Sequence, residues 1–165
     1  SIFLVFGSGI LDPTTGILLN DRMIGFNTEA GHPNCVAPGK RPAHTLCPVM
    51  VFDGDNKLRY VLGTPGGSGQ TITLAQVLHN VLDLRLNLWD AIAAPRWSMD
   101  LGADVIVEAS LPPQIIAAVS KAGISLSQAH ADSPFFGAAE AIEFRDRGIL
   151  CGGAVYRREA VAIVG

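Results

Sequence analysis

The sequence Gly63-Thr64-Pro65-Gly66-Gly67-Ser68-Gly69 joins an apolar, strand-like segment at 58–62 to a segment with helical periodicity at 72–82. Its four glycines allow the backbone to approach a ligand closely, and successive N–H groups can bind an anion there. The start of a helix favours negative charge. Three interpretations remain open: a phosphate loop, an oxyanion hole formed by the amides of Gly66 and Gly67, or an ordinary strand-to-helix turn.

The phosphate-loop interpretation has the least support of the three. A P-loop requires Gly-Lys followed by Ser or Thr, whereas Gly69 is followed by Gln70. The glycine spacing also differs from the dinucleotide-binding pattern. An oxyanion hole and a structural turn are therefore the main alternatives.

Strand-like and helical patterns surround this turn. Strands are predicted at 2–6, 45–52, 58–62 and 105–107, helices at 72–82, 88–93 and 112–121, and a hairpin at 136–151. Asn87 and Ser110 are predicted N-caps, while Pro95 and Gly123 are expected to end helices. The order of strands, helices and strands predicts one domain over 1–165 with an α+β fold.

Composition excludes several classes of protein. The 165 residues are 48% hydrophobic and 16% charged, with a net charge of −3 and 18 glycines. The chain is too apolar to be disordered and lacks the basic excess of a nucleic-acid-binding protein. No apolar run is long enough to span a bilayer. The low charge indicates a compact neutral domain or a surface that a partner covers.

The cysteines and the first residues carry weaker information. Cys35, Cys47 and Cys151 are odd in number and form no CxxC motif, which favours reduced thiols and a cytoplasmic compartment over an extracellular one. No spacing of His, Cys, Asp or Glu resembles a metal site, and no cofactor is predicted. The chain begins at Ser1 with an apolar run, which predicts a processed or truncated start.

A loop rich in proline and glycine at 27–44 is a second candidate site, because long loops are often functional. Lys40 and Arg41 could bind a carboxylate, with hydrogen bonds from His44 and Thr45. A solvated loop without a ligand is the competing interpretation. Elsewhere, we predict an exposed ion pair between His79 and Asp83 and packing roles for Trp89 and Trp97.

Seven short motifs extend over nearly the whole chain. They are FGSG at 6–9, TGILLN at 15–20, PGKRP at 38–42, GTPGG at 63–67, the helical segment 76–83, AIAAPRW at 91–97 and FGAA at 136–139. In order and approximate spacing, they resemble the small subunit of the γ-glutamyltranspeptidase family.

The resemblance implies an N-terminal-nucleophile hydrolase fold, in which two sheets lie between helix layers (αββα). In that family a precursor cleaves itself into a large and a small subunit. The new N-terminal Thr attacks a γ-glutamyl amide with its own α-amine as base, and the acyl-enzyme then passes to water or an amino acid. The implied partners are the large subunit and a small-molecule acyl amide, without nucleic acid; a homo-oligomer of heterodimers stays open.

The resemblance also assigns candidate site residues. Gly66 and Gly67 correspond to the amides that bind the oxyanion. The nucleophilic Thr falls upstream of Ser1, and Ser1 corresponds to a second hydroxyl that supports it. Candidate substrate-binding residues are Asn20, Arg22, Gly25, His44 and Thr45.

Several of these positions depart from the family pattern. An acidic pair that holds the donor's amine is replaced by Ile24 and Gly25, a Gln by Arg22, and a Ser-Ser pair by His44 and Thr45. The loop before Lys40 is short, so the lid is expected to be absent, and the Asp-Pro before the last Arg of 153–158 is missing.

A site without ammonium ligands loses discrimination for a free amine. We therefore predict a γ-glutamyl or other acyl amide hydrolase or transferase whose donor need not carry a free amine, and the missing lid favours hydrolysis over transfer. The alternatives are a glutaryl- or cephalosporin-type acylase with Arg22 as a contact for the donor's carboxylate, an inactive family member, and a nucleotide-binding module on 63–69.

Overall fold

The computed structural model describes residues 2–4, 6–99, 104–158 and 160–163. The chain divides into two compact units, an N-terminal unit at Ser1–Thr45 and a C-terminal unit at Leu46–Gly165. Sheets and α-helices, among the described residues, lie in the C-terminal unit. None of these helices is long and apolar enough to cross a membrane.

The C-terminal unit contains seven strands and three α-helices among its described residues. The strands are β1 (Val49–Phe52), β2 (Leu58–Gly63), β3 (Trp97–Met99), β4 (Val105–Glu108), β5 (Leu126–Ala129), β6 (Glu140–Phe144) and β7 (Leu150–Ala154). The helices are α1 (Gln70–Leu82), α2 (Leu88–Ala93) and α3 (Pro113–Lys121). Strands and helices in one unit confirm the predicted α+β class.

The main sheet is antiparallel, in the order β1-β2-β6-β7. Its register aligns Val49, Leu62, Ala141 and Gly153 in one row across the sheet. This row faces α1 and α2, whose apolar side chains complete the core. A side chain at Gly153 would begin 2.7 Å from Ile92 Cδ1, so glycine allows α2 to lie directly on β7.

The opposite face of the main sheet is apolar and exposed. Met50 is 63% exposed and Ile142 is 42% exposed, and the register places both in the next row. Phe52 and Leu150, at the ends of β1 and β7, are also exposed. Residues 161–163 line a pocket together with this face, and Ala162 lies next to Gly152.

A smaller sheet has the order β3-β4-β5. Strands β3 and β4 are antiparallel, whereas β4 and β5 are parallel and are joined through α3. The sequence analysis missed β3 and β5, which carry no long apolar run. Trp89 is 55% exposed and Trp97 is 42% exposed. The prediction that both side chains are packed in the core is therefore wrong for the exposed part of each ring.

Most of the predicted boundaries are close to the observed ones. Asn87 Oδ1 accepts from Asp90 N at 2.9 Å, which confirms the N-cap of α2. Strand β1 begins at Val49 instead of Thr45. Ser110 does not cap α3: its hydroxyl donates to Glu108 at 3.1 Å, and Pro112 occupies the N-cap position.

The described residues of the N-terminal unit form turns, the 3-10 helix Arg22–Gly25 and two isolated bridges, Leu11 with Leu18 and Asn27 with Cys35. The predicted strand at 2–6 is wrong over its described residues. Phe3 and Phe6 have φ of 76° and 62°, a left-handed backbone that a strand does not contain. The described residues of this run therefore lie in bends and turns.

Candidate active site

The turn after β2 presents two adjacent peptide N–H groups. Gly66 and Gly67 have φ of 141° and 56°, and a short 3-10 turn, Gly67–Gly69, leads into α1. Both glycines are exposed. In the part of the chain that the structure describes, neither amide donates a hydrogen bond to another backbone group. The two dipoles are therefore available to an incoming anion, as an oxyanion hole requires.

The turn is held in place by Thr64 and Gly137. The Thr64 hydroxyl donates to the Pro65 carbonyl at 2.8 Å and accepts from Ala138 N at 2.9 Å. Gly137 is buried with φ of 63°, and a Cβ there would lie 2.9 Å from the Pro65 oxygen. Only glycine allows the two backbone segments to pack this closely.

Behind Gly137, the carbonyl of Phe136 accepts hydrogen bonds from two buried side chains. Arg96 Nη1 donates at 2.7 Å, and Thr73 Oγ1 donates at 3.4 Å. Phe136 itself is fully buried. The peptide that precedes Gly137 is thus fixed from within the core.

Arg96 belongs to a buried cluster with Arg157 and Glu108. Arg157 Nε donates to Glu108 Oε1 at 2.6 Å, and both side chains are fully buried. Burial and the charge of Arg157 lower the pKa of Arg96 to about 10, so its guanidinium stays charged at neutral pH. Two cations and one anion therefore leave positive charge in the interior.

Carbonyls at the end of α2 partly neutralise that charge. Arg96 Nη2 and Arg157 Nη1 both donate to Ile92 O, at 2.7 and 3.1 Å, and Arg157 Nη2 reaches the carbonyls of Ala93 and Ala94. The C-terminal end of a helix favours cations because its carbonyls are unpaired. The sequence analysis missed this cluster, although a basic residue just after a helix-ending proline was a usable signal.

In the N-terminal unit, Asn34 brings two of the candidate substrate-binding segments together. Its Nδ2 donates to Gly25 O at 2.5 Å, and its Oδ1 accepts from Ala43 N at 2.9 Å. Gly25 consequently lies beside the residues that lead into His44 and Thr45. Asn34 was also missed, because its partners are set by tertiary contacts.

Other candidates of this unit have local partners. The guanidinium of Arg22 lies 4.4 Å from the centre of the Phe3 ring. Asn20 Oδ1 accepts from Arg22 N at 2.9 Å, so its side chain closes a turn. Lys40 Nζ donates to Pro33 O at 2.6 Å, which fixes the loop. Ser1 lies outside the described residues.

Two further expectations concern groups away from the turn. His79 Nδ1 lies 2.8 Å from Asp83 Oδ2 with both side chains exposed, which confirms the predicted local pair. The described residues contain no group of three or more His, Cys, Asp or Glu side chains that could hold a metal ion.

Comparison with known proteins identifies the family of this chain. A family profile described as Gamma-glutamyltranspeptidase matches residues 1–165. The chain belongs to the gamma-glutamyltranspeptidase family. It is 33% identical to the Glutathione hydrolase-like YwrD proenzyme of Bacillus subtilis, over 99% of this chain and 32% of that protein.

Solved structures of this family agree in fold. A cephalosporin acylase from Bacillus halodurans matches with a TM-score of 0.87 and 34% identity, over 95% of this chain and 29% of that one. A gamma-glutamyltranspeptidase from Pseudomonas nitroreducens, complexed with L-DON, matches with a TM-score of 0.83 and 29% identity, over 100% of this chain and 90% of that one. The predicted fold class and family are confirmed.

The chain is shorter than most of these relatives. It spans 32% and 28% of the length of the first two curated proteins that it matches, both of which are named proenzymes.

Proposed function

We propose that this chain is the small-subunit part of an amide hydrolase or acyltransferase of the gamma-glutamyltranspeptidase family. In this proposal, the amides of Gly66 and Gly67 bind the oxyanion of an acyl-transfer reaction. The observation that carries it is the pair of adjacent, exposed N–H groups, which donate to no other backbone group among the described residues, on a turn fixed from the core. Membership of a family whose relatives are named hydrolases and acylases supports the same chemistry.

The proposed reaction follows from this donor pair. The hydroxyl of an N-terminal Thr upstream of this chain attacks the amide carbonyl, and its α-amine takes the proton. The carbonyl oxygen becomes negative and is stabilised by the amides of Gly66 and Gly67. The C–N bond breaks, the amine leaves with the proton, and an ester remains on the Thr. Water then hydrolyses the ester, which releases the acid and restores the hydroxyl.

The proposed partner is a large subunit from the same precursor. The uncovered row of Met50 and Ile142 supports this, because an apolar sheet face of this kind is normally packed against another layer. The second sheet of an αββα sandwich would bury it. The low charged fraction of the chain, 16%, agrees with a surface that is covered in this way.

We further propose a carboxylate-bearing acyl donor rather than a free-amine γ-glutamyl group. Ile24 has an apolar side chain and Gly25 has none, so neither position supplies a carboxylate for an ammonium where the family pattern has an acidic pair. Arg22 is the proposed contact for the carboxylate, since a guanidinium pairs with a carboxylate in bidentate fashion. Hydrolysis is favoured over transfer because the loop before Lys40 is short and leaves water unhindered.

The test compares hydrolysis of glutaryl and γ-glutamyl p-nitroanilides by the full-length processed protein. We expect kcat/KM to be higher for the glutaryl substrate. Arg22→Gln should lower that preference, while Lys57→Gln, which removes an exposed cation from the hairpin turn of the C-terminal unit, should leave it unchanged. A preference for the γ-glutamyl substrate would overturn the donor proposal alone. Inactivity on both anilides, with an intact N-terminal Thr, would identify an inactive family member.

A further inference from the structure

The motif AIAAPRW contains a buried arginine for which the reaction above has no role. Arg96 is 2% exposed and touches neither Gly66 nor Gly67 directly. We propose that Arg96 is a positioning residue for the oxyanion turn, acting through the carbonyl of Phe136. This inference rests on the proposed function, since it assigns Arg96 to the same site.

The path from Arg96 to the turn consists of short contacts within one unit. Arg96 Nη1 donates to the Phe136 carbonyl at 2.7 Å, which fixes the orientation of the peptide between Phe136 and Gly137. Gly137 in turn packs under the turn: a Cβ at Gly66 would lie 3.7 Å from Gly137 Cα. Ala138 N, on the next peptide, donates to Thr64 Oγ1 at 2.9 Å, so a rotation of the peptide at Gly137 would displace the segment that leads into Gly66.

The other end of the guanidinium is anchored on a different element. Arg96 Nη2 donates to Ile92 O at 2.7 Å, at the end of α2. The rigid fork of an arginine can hold two carbonyls at a fixed separation, which the single ammonium of a lysine cannot do. The Arg96 side chain thus ties the position of the Phe136 carbonyl to a helix of the core.

A purely structural role does not explain why this residue is a cation. Burying a charge has a large desolvation cost, and apolar residues of the same volume often stabilise such a site as well or better. Arg96 Nε has no hydrogen-bond partner among the described residues, so one donor of this buried group is not used. The two directed bonds of the fork are what an apolar residue could not supply.

Arg157 provides a matched comparison in the same cluster. It is also buried and also donates to Ile92 O, at 3.1 Å. Its Nε, however, pairs with Glu108, and it makes no hydrogen bond to Phe136. Substitution of either arginine disturbs the cluster, but only substitution of Arg96 releases the Phe136 carbonyl.

The test uses the full-length processed protein with Arg96→Lys and Arg157→Lys. The substrate is whichever of the glutaryl and γ-glutamyl p-nitroanilides the wild type hydrolyses with the higher kcat/KM. For Arg96→Lys we expect kcat to fall by about tenfold or more with KM within about twofold, because a displaced oxyanion donor weakens transition-state binding alone. The affinity for a reversible aldehyde analogue of the acyl group should fall in parallel. For Arg157→Lys we expect kcat within about twofold of wild type, even with a similar loss of thermal stability.

If Arg96→Lys does not fold, a second pair of variants tests the same contact with the Phe136 carbonyl. Thr73→Val removes the other donor to Phe136 O, whereas Thr73→Ser keeps the hydroxyl. We expect kcat to fall for Thr73→Val and to be restored in Thr73→Ser. Unchanged kcat in Arg96→Lys or, if that variant does not fold, in Thr73→Val would overturn the inference. An equal loss in Arg157→Lys would do the same.

A readout without turnover separates this inference from the proposed function. With glycine labelled by ¹⁵N, the amide signals of Gly66, Gly67 and Gly137 should shift in Arg96→Lys and stay in place in Arg157→Lys. If the wild type hydrolyses neither anilide, the proposed function fails, and these signals alone decide whether Arg96 positions the turn. Signals that do not move in Arg96→Lys would overturn it.

Discussion

The turn at 64–69 and the loop at 27–44 are stabilised in opposite ways. The support of the turn comes from buried side chains far away in sequence, such as Arg96 and Thr73, which both bind the Phe136 carbonyl. The loop is held by exposed or half-buried groups within a few residues of their partners, such as Lys40 on Pro33. The turn is therefore coupled to the core of the C-terminal unit, whereas the loop depends on local contacts within the N-terminal unit.

This difference explains why the candidate donor-binding positions depart from the family pattern and the turn does not. A buried hydrogen bond to a charged group contributes about 1.5–3 kcal/mol, and an ordinary bond about 0.5–1.5 kcal/mol. Changes in the contacts that support the turn are therefore expected to cost more stability than changes in the loop. If the proposed function holds, changes at Gly25 or His44 should alter the choice of substrate before they alter kcat.

The largest expected effect is that of Gly137→Ala. The new Cβ would lie 2.5 Å from Thr64 Oγ1 and 2.9 Å from the Pro65 oxygen, at a φ of 63°. Backbone strain and overpacking together should destabilise the C-terminal unit by about 2–5 kcal/mol. We expect a lower urea midpoint and a loss of kcat that persists under conditions where the variant is folded.

The matched control is Gly39→Ala in the loop. Gly39 has a similar φ of 69°, but a Cβ there meets nothing within 4 Å. Backbone strain alone should destabilise its unit by about 1 kcal/mol. If Gly39→Ala lowered kcat as much as Gly137→Ala, the contrast between the turn and the loop would be wrong.

A medium effect is expected for Asn34→Ala in the loop. The change removes both hydrogen bonds that join Gly25 to Ala43, which together contribute about 1–2 kcal/mol. We expect KM for the acyl donor to rise about fivefold, with kcat nearly unchanged. Steady-state kinetics on the preferred anilide measure both.

Asn27→Ala is the control for this change, since Asn27 Oδ1 accepts only from the nearby Glu29 N, at 2.6 Å. Its KM should stay near that of wild type. A fall in kcat with constant KM in Asn34→Ala would instead mean that Asn34 acts on the turn at 64–69. That result would contradict the proposed difference between the turn and the loop.

The smallest effect concerns two aspartates that close turns, one in each unit. Hydrogen bonds from Lys57 N and Asp55 N hold the pKa of Asp53 below its ordinary value of 3.8, and the Thr15 hydroxyl does the same for the pKa of Asp12. A lowered carboxyl pKa stabilises the fold above the ordinary value, and this contribution disappears as the pH falls through the lowered pKa.

We therefore expect Asp53→Asn to reduce the loss of stability of the sheet as the pH falls below the ordinary aspartate pKa of 3.8, because the hairpin turn joins β1 to β2. Urea unfolding at several pH values measures this. Asp12→Asn should change the same dependence less, since its turn closes an isolated bridge. Equal changes in both variants would show that the two units lose structure together on acidification.

Local patterns predicted the elements whose residues pack along one stretch of chain. The hairpin around 53–56 and the helix that begins after Asn87 follow from turn and capping residues, which act on their neighbours. The run 2–6 has strand composition, yet forms turns, because a strand also needs a partner that composition does not specify. Strands β3 and β5 were missed because their composition is not typical of strands, although the fold gives both a partner in β4.

The candidate site shows the same limit. Gly66 and Gly67 could be predicted, because the conformation of a glycine turn is a local property. Arg96 and Asn34 could not, because the carbonyls that they bind belong to segments that only the fold brings near. For Arg96 that separation is 40 residues along the chain.

The Arg157 contacts have a consequence for how the chain is made. Arg157 reaches back 65 residues to Ile92 and 49 residues to Glu108. During synthesis, every described strand of the main sheet leaves the ribosome before this side chain does, so the Ile92 carbonyl and the Glu108 carboxylate lack their Arg157 partner until then. The ion pair between Glu108 and Arg157 can therefore form only after the whole main sheet has emerged.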